Sequence, residues 1–204
     1  MADVKNRKSR KDDPRYRRSL SAILDAVTSL IEAHSLTEIS ITRVVEAAGV
    51  TRPTFYQHFA DVPAAARVAG LARLEAAFPP PEPLSDLGTL TPQALRTHIV
   101  GHVEPVLRHL CEHRVFYLRI LDGAGNVAFF EEIVSFVSGR MLPDVFEIAA
   151  REGGAETEDL IAVTAGGVMW LTIRWLRGKP APENAEQMAH RIAGLTPAMV
   201  ARIG

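Results

Sequence analysis

The chain has 204 residues, 47% of them apolar, and a formal net charge of −1. That much apolar material supplies a core for one large domain or two smaller ones, and it excludes a wholly disordered chain. Cys111 is the only cysteine, which excludes an intrachain disulfide framework and fits a reducing cytoplasm.

The small net charge hides an asymmetry. Residues 1–18 carry eight basic and three acidic side chains, a balance of +5; residues 61–204 carry thirteen basic and seventeen acidic ones, a balance of −4. Residues 1–14 are expected to form a disordered basic arm. It has two readings: a solvated tail, or a strand of charge lying in or along the minor groove of DNA. A charged leading segment does not read as a secretory signal.

Apolar residues recur at helical spacing almost everywhere, Gly and Pro punctuate them, and no strand pattern stands out. The first helix is predicted from about Arg15, with Leu20, Ile23, Leu24, Val27, Leu30 and Ile31 inward. Ser40 is placed to cap a short helix carrying Ile41, Val44, Val45 and Ala48, and Gly49 to end it in the left-handed region. Thr51 then caps a helix holding Phe55 and Phe59, and Asp61 caps one running from Val62 towards Phe78.

Residues 79–92, "PPPEPLSDLGTLTP", read as a Pro-rich linker. Beyond it, a helix from Pro92 to about His113 should kink near Pro105. A short helix carries "VFYLRIL", and the glycines of "GAGN" break it. A longer one passes through Phe129, Phe136 and Phe146, bent or split near Pro143. "TEDLIAVTAGGVMWLTIRWLRG" has acids at its start and Arg174, Arg177 and Gly178 at its end, as the helix dipole and C-cap favour. Its apolar run, 160–176, falls short of a membrane span and contains Arg174, so it reads as a buried helix. A last helix runs from about Glu183 to Gly194. The predicted fold class is all-α.

Residues 41–59 have the layout of a helix-turn-helix: short helix, Ala48-Gly49-Val50 turn, second short helix. On a helical wheel Phe55 and Phe59 define the inner face of the second helix. Pro53 and Gln57 lie almost opposite, Thr54 and Tyr56 flank them, and Arg52 and His58 stand at the margins. No carboxylate occurs from Thr51 to Ala60, which suits an approach to phosphates and base edges.

At this point the sequence resembles the TetR/AcrR family of bacterial transcriptional regulators. The resemblance is carried by "ILDAVTSLI", "ISITRVVEAAGV" and "TRPTFYQHF" followed by "ADVPA", over roughly residues 17–68. It departs from the family pattern at Ser35, where a glycine is common, at Val45, usually a small Ala, and at Val62, often a phosphate-gripping Lys. The resemblance implies an N-terminal three-helix helix-turn-helix DNA-binding domain (15–61) and a connecting helix (62–78). It also implies a larger C-terminal helical domain for ligand binding and dimerisation (93–204). The expected protein is a cytoplasmic, homodimeric repressor, nucleoid-associated when bound. A small, largely apolar and unidentified ligand releases it from a near-palindromic operator in double-stranded DNA. A constitutive DNA binder or activator is the alternative.

The resemblance makes Arg52 the basic residue that opens the recognition helix, for a phosphate or a guanine, and Tyr56 its phosphate-contacting tyrosine. Gln57 suits adenine, Thr54 a thymine methyl or a phosphate and Pro53 a thymine methyl, and Thr51 adds a hydroxyl at the cap. Ser40, Thr42 and Arg43 are candidates for neighbouring phosphates, and His58 either packs on the first helix or faces DNA.

In the second half, His98, His102, His109 and His113 are spaced 4, 7 and 4 apart on one side of a helix. They read as a metal or acidic-ligand site, or as a polar face. With no carboxylate at ligand spacing, no metal is assigned, and no cofactor either. His102, Tyr117 and Trp170 are the candidate ligand-binding residues. An enzyme is not expected, because the sequence has no nucleophile–base pairing, phosphate-cradling glycine loop or metal motif.

Overall fold

A computed structural model describes residues 13–80, 91–142, 145–147, 150–151, 154–178 and 184–200, the stretch 196–200 as backbone only. Most of the basic arm, the middle of the 79–92 linker and Pro143 lie outside the described residues. Those residues are mainly helical and contain no strand. The chain divides into two compact units. The first comprises the described residues up to Ala72 together with Val115–Phe129; the second comprises Arg73–Arg114 and the described residues from Phe130 onward.

In the first unit, helix α1 (Pro14–Ala33) begins with Asp13, whose carboxylate accepts from the Arg15 N–H at 2.8 Å, and with Pro14 in the first turn. Proline is tolerated there because that N–H has no intrahelical acceptor. A 3-10 turn (Leu36–Glu38) follows. The Glu38 carboxylate accepts from the Ser35 N–H at 2.9 Å and from its hydroxyl at 2.7 Å. Ser35 thus replaces the expected glycine with a side chain that ties the turn.

Helix α2 (Ile41–Ala48) starts at Ser40, whose hydroxyl accepts from the Arg43 N–H, and stops at Gly49 with φ 63°. Helix α3 (Arg52–His58) starts at Thr51 and α4 (Val62–Ala77) at Asp61, whose carboxylate accepts from the Ala64 N–H at 2.7 Å. Each such cap is worth about 1 kcal/mol. Ile23, Val27, Ile31, Val44 and Phe55 are completely buried, with Val45 and Phe59 nearly so. The larger Val45 is therefore accommodated within the core. On α4, Ala65 and Ala66 are completely buried, small side chains that allow close packing.

The segment Val115–Phe129, which the sequence assigned to the C-terminal domain, packs within this first unit. It contains most of α6 (Arg114–Leu121) and the start of α7 (Asn126–Ser138). Arg119 donates to the carbonyl of Ile31 near the end of α1. A Cβ on Gly70 would lie 2.8 Å from the Phe129 ring and 3.0 Å from Ile120, and one on Gly123 would meet Leu36.

In the second unit, α5 (Pro92–Glu112) starts at Thr91 and continues through Pro105, whose ring is exposed. Leu95, Val106, Leu107 and Leu110 form its buried face; α5 packs chiefly against α9 (Ala185–Val200), which buries Met188, Ala189, Ile192 and Ala193. Helix α8 (Thr157–Leu176) is long and apolar enough to cross a membrane by length and composition alone. It buries Ala165, Ile173, Trp175 and Leu176, and Arg114 Nε donates to the Leu176 carbonyl at its C-terminal end. Helix α7 ends at Ser138, short of Phe146 and Pro143.

Candidate nucleic-acid interface

The second helix of the helix-turn-helix is only two turns long, so its ends decide whether it forms. At the start, the Thr51 hydroxyl accepts from the Thr54 N–H at 3.3 Å, because Pro53 has no N–H to offer. The two threonine hydroxyl oxygens lie 2.9 Å apart. At the other end, Phe59 returns its N–H to the Phe55 carbonyl at 3.0 Å. Phe55, completely buried, anchors the inner face and packs against Phe59 with ring centroids 5.9 Å apart.

Burying those two rings turns the opposite face outward. Thr51, Arg52, Pro53, Tyr56 and Gln57 are exposed, and Thr54 is half-buried. Tyr56 is 57% exposed, its ring edge-on to Phe55 with centroids 5.8 Å apart. Arg52 donates to the Thr42 hydroxyl, tying the recognition helix to the first turn of α2. Arg43 does not swing free: Nη2 lies 2.8 Å from His34 Nε2, and Nη1 donates to the Glu38 carbonyl at 3.2 Å. Ser40 is exposed, while Thr42 and Arg43 are half-buried.

His58 takes the inward of its two readings. Its Nε2 lies 2.8 Å from Ser19 Oγ, its ring sits 4.1 Å from that of Tyr16, and its Nδ1 is buried without a partner. Burial holds its pKa below the ordinary imidazole value. The ring is thus turned onto α1. A shallow groove of about 440 Å³ between α1 and α2, lined by Ala22, Asp25, Ala26, Ser29, Leu30, Ala47 and Ala48, contains none of the predicted site residues.

The three ligand-side candidates fall in different units. Tyr117 belongs to the first unit and is 2% exposed, with its ring edge-on to Phe116 at 5.1 Å. His102 and Trp170 belong to the second unit. His102 is half-buried, its Nδ1 3.0 Å from the His98 carbonyl and its ring 4.2 Å from that of His98. Trp170 stands outward on α8, 54% exposed, beside Gly166 and Gly167, above which a Cβ would meet open space. The histidines of α5 group in two pairs, the second being His109 and His113 at 4.6 Å with Arg73 Nη2 2.8 Å from His113 Nδ1. Among the described residues no three His, Cys, Asp or Glu side chains group as a metal site. Burial and the nearby His113 and Arg73 push the His109 pKa down, and burial pushes the Cys111 thiol up.

Helical periodicity gave no sign of the Arg43–His34 contact and left open whether His58 packs on the first helix, since both contacts join residues brought together only by folding.

Residues 23–61 match the family described as "Bacterial regulatory proteins, tetR family". No curated protein matches the sequence. Among solved structures, the chain is similar to a TetR transcriptional regulator from Streptococcus agalactiae 2603V, with 17% identity, a TM-score of 0.57, and 96% of this chain and 98% of that one covered. It is also similar to the dihydroxyacetone kinase operon activator DhaS, with 16% identity, a TM-score of 0.55, and 89% and 96% covered. At these identities the likeness is one of fold. Residues 23–61, which hold the helix-turn-helix, thus match the tetR family of bacterial regulatory proteins, and the all-α fold of the chain is like that of these solved structures.

Proposed function

We propose that this protein is a homodimeric transcriptional regulator, a repressor that leaves a near-palindromic operator when a small, largely apolar molecule binds. The observation that carries the reading is the outer face of α3. It is capped by Thr51, anchored from behind by Phe55, and presents Arg52, Pro53, Tyr56 and Gln57 with no carboxylate among them. Arg52 and Tyr56 are assigned to phosphates, Gln57 to an adenine edge, and Pro53 with Thr54 to a thymine methyl. Ser40, Thr42 and Arg43 extend the phosphate contacts along the head of α2. The +5 balance of residues 1–18 adds a non-specific electrostatic attraction.

Two copies are needed to read two half-sites one helical turn apart. The outward face of α8 suits the joint: Val163 and Trp170 are 65% and 54% exposed, and the open space above Gly166 and Gly167 admits another helix closely. With Trp170 on that face, His102, in the same unit as α8, is the side chain assigned to the ligand. A ligand that binds one protomer arrangement better than the other shifts the population away from the DNA-competent one.

Selection of genomic fragments by the purified protein tests the reading, because the operator's neighbouring genes indicate the ligand. Enrichment of a palindromic site supports it, and no enrichment over bulk DNA overturns it. Release of the site by apolar metabolites supports the inducible repressor. A neighbour in fold is described as an operon activator; binding that no metabolite disturbs would favour a constitutive binder or activator here.

A further inference from the structure

The contact between His34 and Arg43 lies within the DNA-reading unit and joins the residue that ends α1 to the first turn of α2. An arginine side chain only donates hydrogen bonds, so at 2.8 Å the His34 Nε2 must accept from Arg43 Nη2. In this contact Nε2 therefore carries the lone pair, and the ring proton belongs on Nδ1. The second anchor of the same guanidinium is the Glu38 carbonyl, 3.2 Å from Nη1.

Both anchors are uncharged. The one carboxylate on the turn, that of Glu38, is turned instead to the Ser35 N–H and hydroxyl at 2.9 and 2.7 Å, and those bonds hold its pKa down. Arg43 is thus held in place without having its charge cancelled by a bonded partner. A surface arginine usually has either full charge and free rotation or an ion pair that fixes it. Here the guanidinium is oriented and still fully cationic, with its remaining N–H groups uncommitted to these two anchors.

We infer that His34 is a positioning residue for DNA binding: in its neutral form it orients the charged Arg43 guanidinium for a phosphate at the head of α2, and protonation releases it. This rests on the regulator reading above, in which Arg43 meets the DNA backbone. A protonated His34 has no lone pair left on Nε2 and sets a like charge against Arg43. The other charged groups around it act on the same balance. Glu38 on the turn attracts both cations, Glu32 lies on the same helix two residues back, and Arg119 of α6 adds positive charge at the Ile31 carbonyl. Once released, Arg43 must be immobilised anew whenever DNA is bound, which lowers affinity about two- to tenfold, the usual entropic cost of one long side chain.

The test is equilibrium binding of the full chain to a duplex selected by the wild type, at constant ionic strength, for wild type, H34A, H34Q, R43A and H34A/R43A. Glutamine keeps an acceptor near the place of Nε2 and cannot take up a proton. At pH 8, H34A should bind about two- to tenfold more weakly, and the double variant no more weakly than R43A. H34Q should stay within about twofold of wild type at pH 8. As pH is lowered, wild type should lose about two- to tenfold relative to H34Q. Additive losses in H34A and R43A, or a wild-type to H34Q ratio that does not change with pH, would overturn the role of His34. If H34A fails to fold, the pH-dependence of that ratio decides alone. A wild type that selects no duplex overturns the regulator reading and this inference with it; a duplex bound equally by wild type and R43A overturns the inference only.

Discussion

His58 Nε2 lies 2.8 Å from Ser19 Oγ, which joins the last residue of the recognition helix to the second turn of α1. Ser19 Oγ is also within 3.0 and 3.1 Å of the Tyr16 and Arg15 carbonyls, so the hydroxyl can donate to its own helix and accept from His58. That assignment places the imidazole proton on Nε2 and leaves the buried Nδ1 as a bare acceptor. Charging the ring would put a proton on Nδ1 with nothing to receive it. Helix α3 is therefore held at its far end by a histidine whose charged form burial disfavours.

A pH dependence of stability follows from that arrangement. Burial depresses the pKa of His58 below 6.5, so the unfolded chain takes up this proton first as pH falls. Stability present above the unfolded value is lost as pH falls through the depressed folded value. His109 acts in the same direction. Urea unfolding of H58Q should show a weaker loss of stability on acidification than the wild type. Parallel curves for the two would refute the assignment.

The outer face of α3 is tested by pairing two kinds of substitution. Arg52→Ala with Tyr56→Phe should weaken binding to every duplex, and the salt slope should fall by about one for each phosphate no longer neutralised by a cationic side chain. Gln57→Ala should cost about 1–3 kcal/mol on the preferred site and relax preference at one base pair. Fluorescence anisotropy on a panel of single-position operator variants separates the two effects. A uniform loss for Gln57→Ala would assign it to the backbone instead.

Thr51 is the only side chain that caps α3, because Pro53 supplies no N–H and the Thr54 N–H alone is bonded to it. Thr51→Ala should cost about 1 kcal/mol, whereas Thr51→Ser, which keeps the hydroxyl, should change stability little. Pro53→Ala should change stability little, since the lost rigidity and the gained helix propensity oppose each other in the first turn. Thermal unfolding with matched denaturant curves measures all three.

Two glycines on different helices predict opposite outcomes. Gly70→Ala gains up to about 1 kcal/mol of helix propensity, but its methyl would lie 2.8 Å from the completely buried Phe129 ring. Overpacking at about 1–3 kcal/mol should win, and the variant should be less stable. Gly167→Ala meets open space and should stabilise a single protomer by up to about 1 kcal/mol. If α8 is the joint between copies, the same methyl should weaken the dimer. Sedimentation equilibrium beside thermal unfolding reads both, and an unchanged dimer constant would move the interface elsewhere.

Much of this protein can be read from local order alone. The inward faces of α1, α2 and α3, the caps at Ser40, Thr51 and Asp61, and the left-handed Gly49 all follow from periodicity and from side chains that act on neighbours three or four residues away. The outward face of α3 follows too, because burying Phe55 and Phe59 leaves Pro53, Tyr56 and Gln57 no other side to occupy. Only the tertiary structure decided which long-range partners met. The Val115–Phe129 segment packs with the N-terminal helices, His58 turns to Ser19, and Arg43 is held by His34. The physical reason is the range of the interactions. Helix periodicity reports which side of a rod is apolar, but which rod that side meets depends on how volumes such as Gly70 against Phe129 interlock, and that information is shared between distant residues.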